Sequence, residues 1–204
     1  MIIFLRHAQA ENNTKRILAG RTDGISLTKA GIEQAQRIAK YLKPLDISAI
    51  YSSPIERASH TAEIVANNSL DYNLDDRLTE IDMGKFTRMK YDDMFAKYGN
   101  IFLKFYENDP VIAEHEVETF PDVQKRVLGM VDHVLKKHKN ENVILVTHMD
   151  PIKSMLSTVM DLKPKALFEL IIANASLTIV KEQDKKFSLS AINAMNVDRY
   201  YQTW

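Results

Sequence analysis

Phe4-Leu5-Arg6-His7-Ala8, near the head of a 204-residue chain, is the stretch on which the fold turns. The apolar run from Ile2 to Leu5 has the length and make-up of a buried strand. An arginine and a histidine stand at its C-terminal end, where open α/β sheets gather their ligands. The pair joins a permanently charged fork donor to a group able to act as nucleophile, base or acid. That combination suits an anion that must also react. Taken alone, the dipeptide fits a surface accident as well, so its meaning rests on partners further along.

Beyond it, Gln9 to Ser26 is a polar, Asn- and Gly-containing segment too long for a simple turn. Thr28 opens a helix with Ile32, Ala35, Ala39 and Leu42 on one face, and Pro44 ends it. Ala49-Ile50-Tyr51 predicts a second strand. In Ser53-Pro54-Ile55-Glu56 the spacing predicts a capped helix start, with Ser53 as N-cap, Pro54 first and Glu56 closing a capping box. Ile55, Ala58, Ala62 and Val65 continue as a buried helical stripe. Leu70–Leu74 reads as a third strand. Residues 76–118 are less regular, with a helix from Tyr91 to Tyr98 and aromatics at Phe102, Phe105 and Tyr106 that suit a helical-cap core. Phe120–Lys139 is strongly helical, and Asn142–Thr147 is a β-branched run typical of a fully buried strand, with His148 just past its end. Pro151–Met160 predicts a further helix. Glu169–Ala173, Ser176–Val180 and Phe187–Asn193 predict closing strands.

Alternating strands and helices with parallel crossovers predict a three-layer α/β sandwich. Its sheet is mostly parallel, with helices on both faces and a small helical or loop cap. No repeat, low-complexity tract or linker interrupts the sequence. It therefore reads as a single domain over 1–204 with a cap insertion at approximately 82–118.

Composition narrows the chemistry. Lys+Arg equals Asp+Glu, which gives no support for a nucleic-acid or membrane partner held by bulk charge. The chain has no cysteine, so disulfides, thiolate catalysis and Cys-ligated metals are excluded. Its six histidines show no HExxH or His-x-x-x-His spacing, so no metal site is expected. With no basic leader and no long apolar run, the expected location is cytoplasmic.

Four places put reactive or anion-binding residues at strand ends or helix starts: Arg6-His7, Arg57, Glu80 and His148. If the three parallel strands are neighbours, two arginines and two histidines converge on a pocket for a tetrahedral dianion, aided by helix N-termini. Each residue also has a plainer reading. Arg57 fits a surface helix pair, Glu80 has a rival in Asp82, and His148 fits a satisfied core histidine. His60, His115, His133 and His138 fit no motif.

Five segments, in order, resemble the histidine phosphatase superfamily, the phosphoglycerate mutase-like group. They are Leu5-Arg6-His7-Ala8-Gln9 with Asn13, and Gly20-Arg21-Thr22-Asp23 with Leu27-Thr28-Lys29-Ala30-Gly31. Tyr51-Ser52-Ser53-Pro54-Ile55-Glu56-Arg57-Ala58, Leu78-Thr79-Glu80-Ile81-Asp82-Met83-Gly84 and Val146-Thr147-His148 complete the set. Glu118-Thr119 and Arg126 echo a further Glu-Ser…Arg element. The resemblance implies phosphoryl transfer through a phosphohistidine on His7. It implies that Arg6, Asn13, Arg57 and His148 hold the phosphoryl oxygens, with Glu80 as acid and base. Arg21, Thr22 and Arg88 are possible substrate contacts.

It also implies a small phosphorylated substrate, no required cofactor, and a monomer or homodimer. Hydrolysis of phosphomonoesters is favoured, since Glu80 and Glu118 are only 38 positions apart and mutases of this group carry a longer insertion. The alternative is a phosphoglycerate mutase of glycolysis, with 2,3-bisphosphoglycerate as phosphoryl primer. A non-catalytic phospho-ligand module is less expected, because His7, Arg57, Glu80 and His148 are all present. Three departures from the family pattern stand out. Ala8 and Met149 replace the usual Gly after each histidine, Asp150 puts a carboxylate near the pocket mouth, and Phe86-Thr87-Arg88 replaces a Trp-Glu-Gly run.

Overall fold

The structure, a computed structural model, describes residues 1–67, 69–184 and 186–195. Its strands are β1 (Ile2–Arg6), β2 (Ile47–Ser52), β3 (Tyr72–Leu74), β4 (Asn142–Thr147), β5 (Leu177–Gln183) and β6 (Lys186–Ala194). The helices begin with α1 (Glu11–Lys15), α2 (Lys29–Leu42) and α3 (Glu56–Ala66). Between β3 and β4 come α4 (Tyr91–Tyr98), α5 (Ile101–Glu107), α6 (Val111–Glu114) and the long α7 (Phe120–Lys137). After β4 follow α8 (Met149–Met160) and α9 (Pro164–Glu169). Among the described residues no helix is long and apolar enough to cross a membrane.

The sheet order is β3-β2-β4-β1-β5-β6. The first four strands run parallel; β5 lies antiparallel to β1, and β6 to β5. Successive strand residues face opposite sides, so the central strands feed two cores. Phe4 and Leu145 pack with α7, α8 and the α4–α6 segment, while Ile3, Leu5 and Val146 pack with α2 and α3. This is the sandwich that the alternating pattern predicts. β1 and β4 are adjacent and parallel, yet the α2 and α8 helices that come after them lie on opposite faces. A crevice therefore opens above their C-terminal ends, the place where such sheets bind ligands.

Three local expectations are corrected. Ser53 does not cap α3: the N-cap is Ile55, with no side-chain cap. The Ser53 hydroxyl is engaged by His148 instead, Asp23 accepts from the Glu56 N–H, and Glu56 accepts from Ser26. The capping box is thereby replaced by contacts that tie the turn to the site. Leu70–Leu74 shortens to Tyr72–Leu74. Glu169–Ala173 is not a strand: α9 ends at Glu169, and Asn193 bonds the Ala173 N–H and the Ile171 carbonyl at 2.7 and 2.6 Å. That side chain supplies what a strand neighbour would have. The terminal run Tyr200–Trp204 lies outside the described residues.

Gly31 fixes how α2 approaches the segment after β1. A Cβ there would meet the Gln9 carbonyl oxygen at 2.0 Å, a backbone atom with little room to yield. Gly31→Ala is expected to destabilise the protein by about 2–3 kcal/mol. The melting temperature should drop by roughly 5–10 °C in a thermal scan; an unchanged value would contradict this packing.

Candidate active site

Arg6 ends β1 and His7 follows it; Ser53 follows β2 and His148 follows β4. These strand ends are held together by the sheet itself: the His7 N–H donates to the Thr147 carbonyl, and the Ser53 N–H to Val146. Arg57 sits in the first turn of α3, where its buried side chain points back over the sheet edge. A cavity of about 50 Å³ lies above this edge, lined by Arg6, His7, Asn13, Arg57, Glu80 and Asp150 among others.

His7 is 2% exposed. Its Nδ1 lies 2.7 Å from the Ala8 carbonyl oxygen, so that nitrogen carries the proton and donates. The Arg57 Nε–H donates to Nε2 at 3.3 Å, which makes Nε2 the acceptor. The ring is thus held as the neutral tautomer with its Nε2 lone pair toward the arginine. Burial first, then the charges of Arg57 and Arg6, hold its pKa well below that of an ordinary histidine. Ala8 is not among the residues with positive φ, so its backbone makes no demand for glycine.

The two arginines are anchored by backbone. Arg57 donates to the Gly20 carbonyl at 2.8 Å and to the Thr22 carbonyl at 3.3 Å. Arg6 donates through Nη1 to the Ile172 carbonyl, while its buried Nε has no partner among the described residues. Burial lowers the pKa of both, that of Arg57 to about 10. His148 is fully buried, 5.1 Å from His7 between ring centroids. Its Nε2 contacts Ser53 Oγ at 2.8 Å, and its buried Nδ1 has no partner among the described residues. Burial and the neighbouring Arg57 lower its pKa well below the usual value. Asn13 accepts through Oδ1 from the Ala10 N–H and from Asn174, and its NH₂ has no partner among the described residues.

Glu80 lines the cavity, whereas Asp82 does not: Asp82 Oδ1 accepts from the Gly84 N–H in its own turn. Burial, then the Asp150 charge, raises the Glu80 pKa to about 7, against the opposing pull of Arg57, the Ile81 N–H and Arg6. The loop bearing it is clamped from behind. Arg126 donates to the carbonyls of Arg77, Thr79 and Glu80 and pairs with Glu118, and Glu118 accepts from the Asp82 N–H. The Glu118…Arg126 echo in the sequence is therefore a brace for the acid loop.

Arg21, Thr22, Arg88 and His148 do not line the cavity; His148 stands outside it, next to His7. Arg21 bonds the Glu80 carbonyl and Glu118, so it braces the same loop. Thr22 contributes its carbonyl to Arg57. Arg88 is exposed in the left-handed region, its N–H spent on Leu18. Asp150, expected near the mouth, is buried and 2% exposed. It accepts from the Tyr106 hydroxyl, to which Lys153 Nζ also donates at 3.0 Å. This network went unread in the sequence because Tyr106 lies 44 positions before Asp150, on α5.

A buried and a half-buried arginine beside two buried, neutral histidines over the C-terminal edge of a parallel sheet make the site of a phosphoryl-transfer enzyme of the α/β class. A family model described as the histidine phosphatase superfamily, branch 1, matches residues 2–195. The chain belongs to that superfamily. It is 33% identical over 201 residues to a 2,3-bisphosphoglycerate-dependent phosphoglycerate mutase of Thermoplasma acidophilum, covering 98% of this chain and 96% of that protein. It is 28% identical over 196 residues to phosphoserine phosphatase 1 of Hydrogenobacter thermophilus, covering 94% and 91%. The solved structure of Bacillus stearothermophilus YhfR superposes with a TM-score of 0.86 at 29% identity, over 95% of this chain and 96% of that one.

Proposed function

We propose that the protein is a phosphomonoesterase acting on small phosphorylated substrates through a phosphohistidine on His7. The observation that carries this reading is the tautomer of His7, whose Nδ1–H is committed to Ala8 and whose Nε2 lone pair faces Arg57. In the first step Nε2 attacks phosphorus and the bond from phosphorus to the alcohol oxygen breaks. The electron pair goes to that oxygen, which takes the proton of Glu80, and the alcohol leaves. In the second step ionised Glu80 takes a proton from water. The resulting hydroxide attacks phosphorus, the N–P bond breaks, and its pair returns to Nε2.

Arg6, Arg57 and the Asn13 amide hold the phosphoryl oxygens and stabilise the charge that builds on them, and His148, outside the lining, packs beside the His7 ring. This chemistry needs no metal ion, because the two guanidiniums supply the positive charge. Residues 82–118 act as a cap, since Met83, Tyr91 and Phe102 from that segment line the cavity.

Hydrolysis is favoured over mutase chemistry by the charges that line the cavity. Arg6 and Arg57 are the cations among its lining residues, and the phosphoryl group engages both; the remaining charged groups are the carboxyls of Glu80 and Asp150. Little is left to hold the second anionic group of a bisphosphoglycerate. The mutase reading retains the support of the Thermoplasma acidophilum relative.

The deciding experiment incubates the protein with phosphomonoesters, and separately with 3-phosphoglycerate plus 2,3-bisphosphoglycerate, in the presence of a chelator. Phosphate release without 2-phosphoglycerate formation is expected. Isomerisation without release would establish the mutase instead.

A further inference from the structure

We propose that a second cavity beside the phosphoryl pocket holds the leaving alcohol, and that the enzyme's preferred substrates are phosphomonoesters of alcohols with an uncharged aromatic or short alkyl body. This rests on the phosphatase reading above and goes on to name its substrate class. The second cavity, about 150 Å³, is three times the size of the first. Tyr91, Phe102 and Met149 line both, so the two compartments adjoin across shared side chains. The phosphoryl pocket is large enough for the reacting group and little else, and the rest of the substrate must extend past its walls. An apolar cavity of about 150 Å³ is the size that accepts a benzene ring.

Two further observations fit an apolar ligand. Phe95 and Ile171, on α4 and after α9, line the second cavity and are 38% and 72% exposed. Large apolar side chains left in water around a concave site mark a surface that a ligand covers. The cavity also lies on the side of the acid. Glu80 lines the phosphoryl pocket together with Tyr91, Phe102 and Met149, the residues that also wall the second cavity, and Glu80 must face the leaving oxygen. Lys153 is the cation of this cavity, but it is committed inward. Its Nζ donates to Tyr106 and lies 5.0 Å from that ring's centroid, and Tyr106 in turn donates to Asp150. The lysine thus balances a buried carboxylate and does not stand ready for a substrate anion.

The test uses n-alkyl phosphonates from methyl to hexyl, which carry the anionic head but cannot be hydrolysed. Calorimetry should show Kd falling about threefold per added methylene, with an increasingly negative heat-capacity change. Phe95→Asp and Ile171→Asp alter exposed positions and should leave the fold intact, as circular dichroism can check. Each is expected to flatten the series, so that the hexyl-to-methyl affinity ratio falls at least tenfold. A flat series in the unaltered protein, or a slope that survives both substitutions, overturns the proposal. Phosphonate binding does not require turnover. Failure of the phosphohistidine reading would appear separately, as absent hydrolysis of ethyl phosphate with the affinity series intact.

Discussion

His7→Ala is expected to lower turnover of a phosphomonoester by about 10⁴-fold or more and to abolish the acid-labile phosphoprotein. The expectation follows from how singular the position is. Nε2 of His7 is an acceptor facing a buried arginine, with its tautomer locked by the Ala8 carbonyl. His148, the other buried histidine, has Nε2 spent on Ser53 and stands 5.1 Å away between ring centroids, so it cannot substitute without moving. Anion binding should survive, because Arg57 keeps its anchors on Gly20 and Thr22 and Arg6 its anchor on Ile172. Inorganic phosphate should therefore bind the variant within a few-fold of the original affinity by calorimetry. Rapid acid and alkaline quenching after mixing with substrate reads the intermediate directly. Retained turnover in His7→Ala would move the nucleophile elsewhere.

Much of this site could be read in the sequence because strand ends are legible. The β-branched run Asn142–Thr147 is β4, and Tyr91–Tyr98 is α4, since each pattern is bounded by strong breaks. Once β1, β2 and β4 are neighbours, the residues after them must meet: Arg6, His7, Asn13, Arg57 and Glu80 share one cavity, while His148 stands outside its lining with its ring 5.1 Å from that of His7. What was illegible depends on tertiary partners. The apolar run Leu170-Ile171-Ile172 mimics a strand, yet side chains take its carbonyls: Asn193 bonds that of Ile171 and the Ala173 N–H, and Arg6 bonds that of Ile172. Ser53 has every local mark of a helix cap and serves His148 instead. Arg21 carries a charge that invites a ligand, and the loop holding Glu80 takes it. The second cavity draws its walls from α4, α5, α8 and α9, and no local period announces such a surface.

Glu80→Gln is expected to reduce turnover of alkyl phosphates by about 10²–10⁴-fold while leaving the fold intact. One carboxyl serves as acid in the first step and base in the second, so its pKa must lie near the working pH. Burial and the Asp150 charge raise it to about 7, while Arg57, the Ile81 N–H and Arg6 pull the other way; Tyr91 and Tyr106 are the neighbouring ionisable hydroxyls. In the unaltered protein kcat/KM for an alkyl phosphate should fall as pH rises through about 7, as the acid loses its proton. Glutamine has no proton to lose, and that limb should vanish. With 4-nitrophenyl phosphate, whose leaving group needs no protonation, the variant should still release a burst of nitrophenolate and then stall as phosphohistidine, because water is no longer activated. The same shift fixes the sign of a stability effect. The native carboxyl binds its proton up to about pH 7. The unfolded one binds it only up to about pH 4.3, so this group's contribution is fully present below that point and is lost as pH rises through the native value. Glu80→Gln should accordingly melt several degrees higher than the unaltered protein at about pH 8, with little difference at about pH 4. An unchanged pH limb together with no burst would remove Glu80 from the reaction and point to Asp150, the other carboxyl lining the cavity, as the acid.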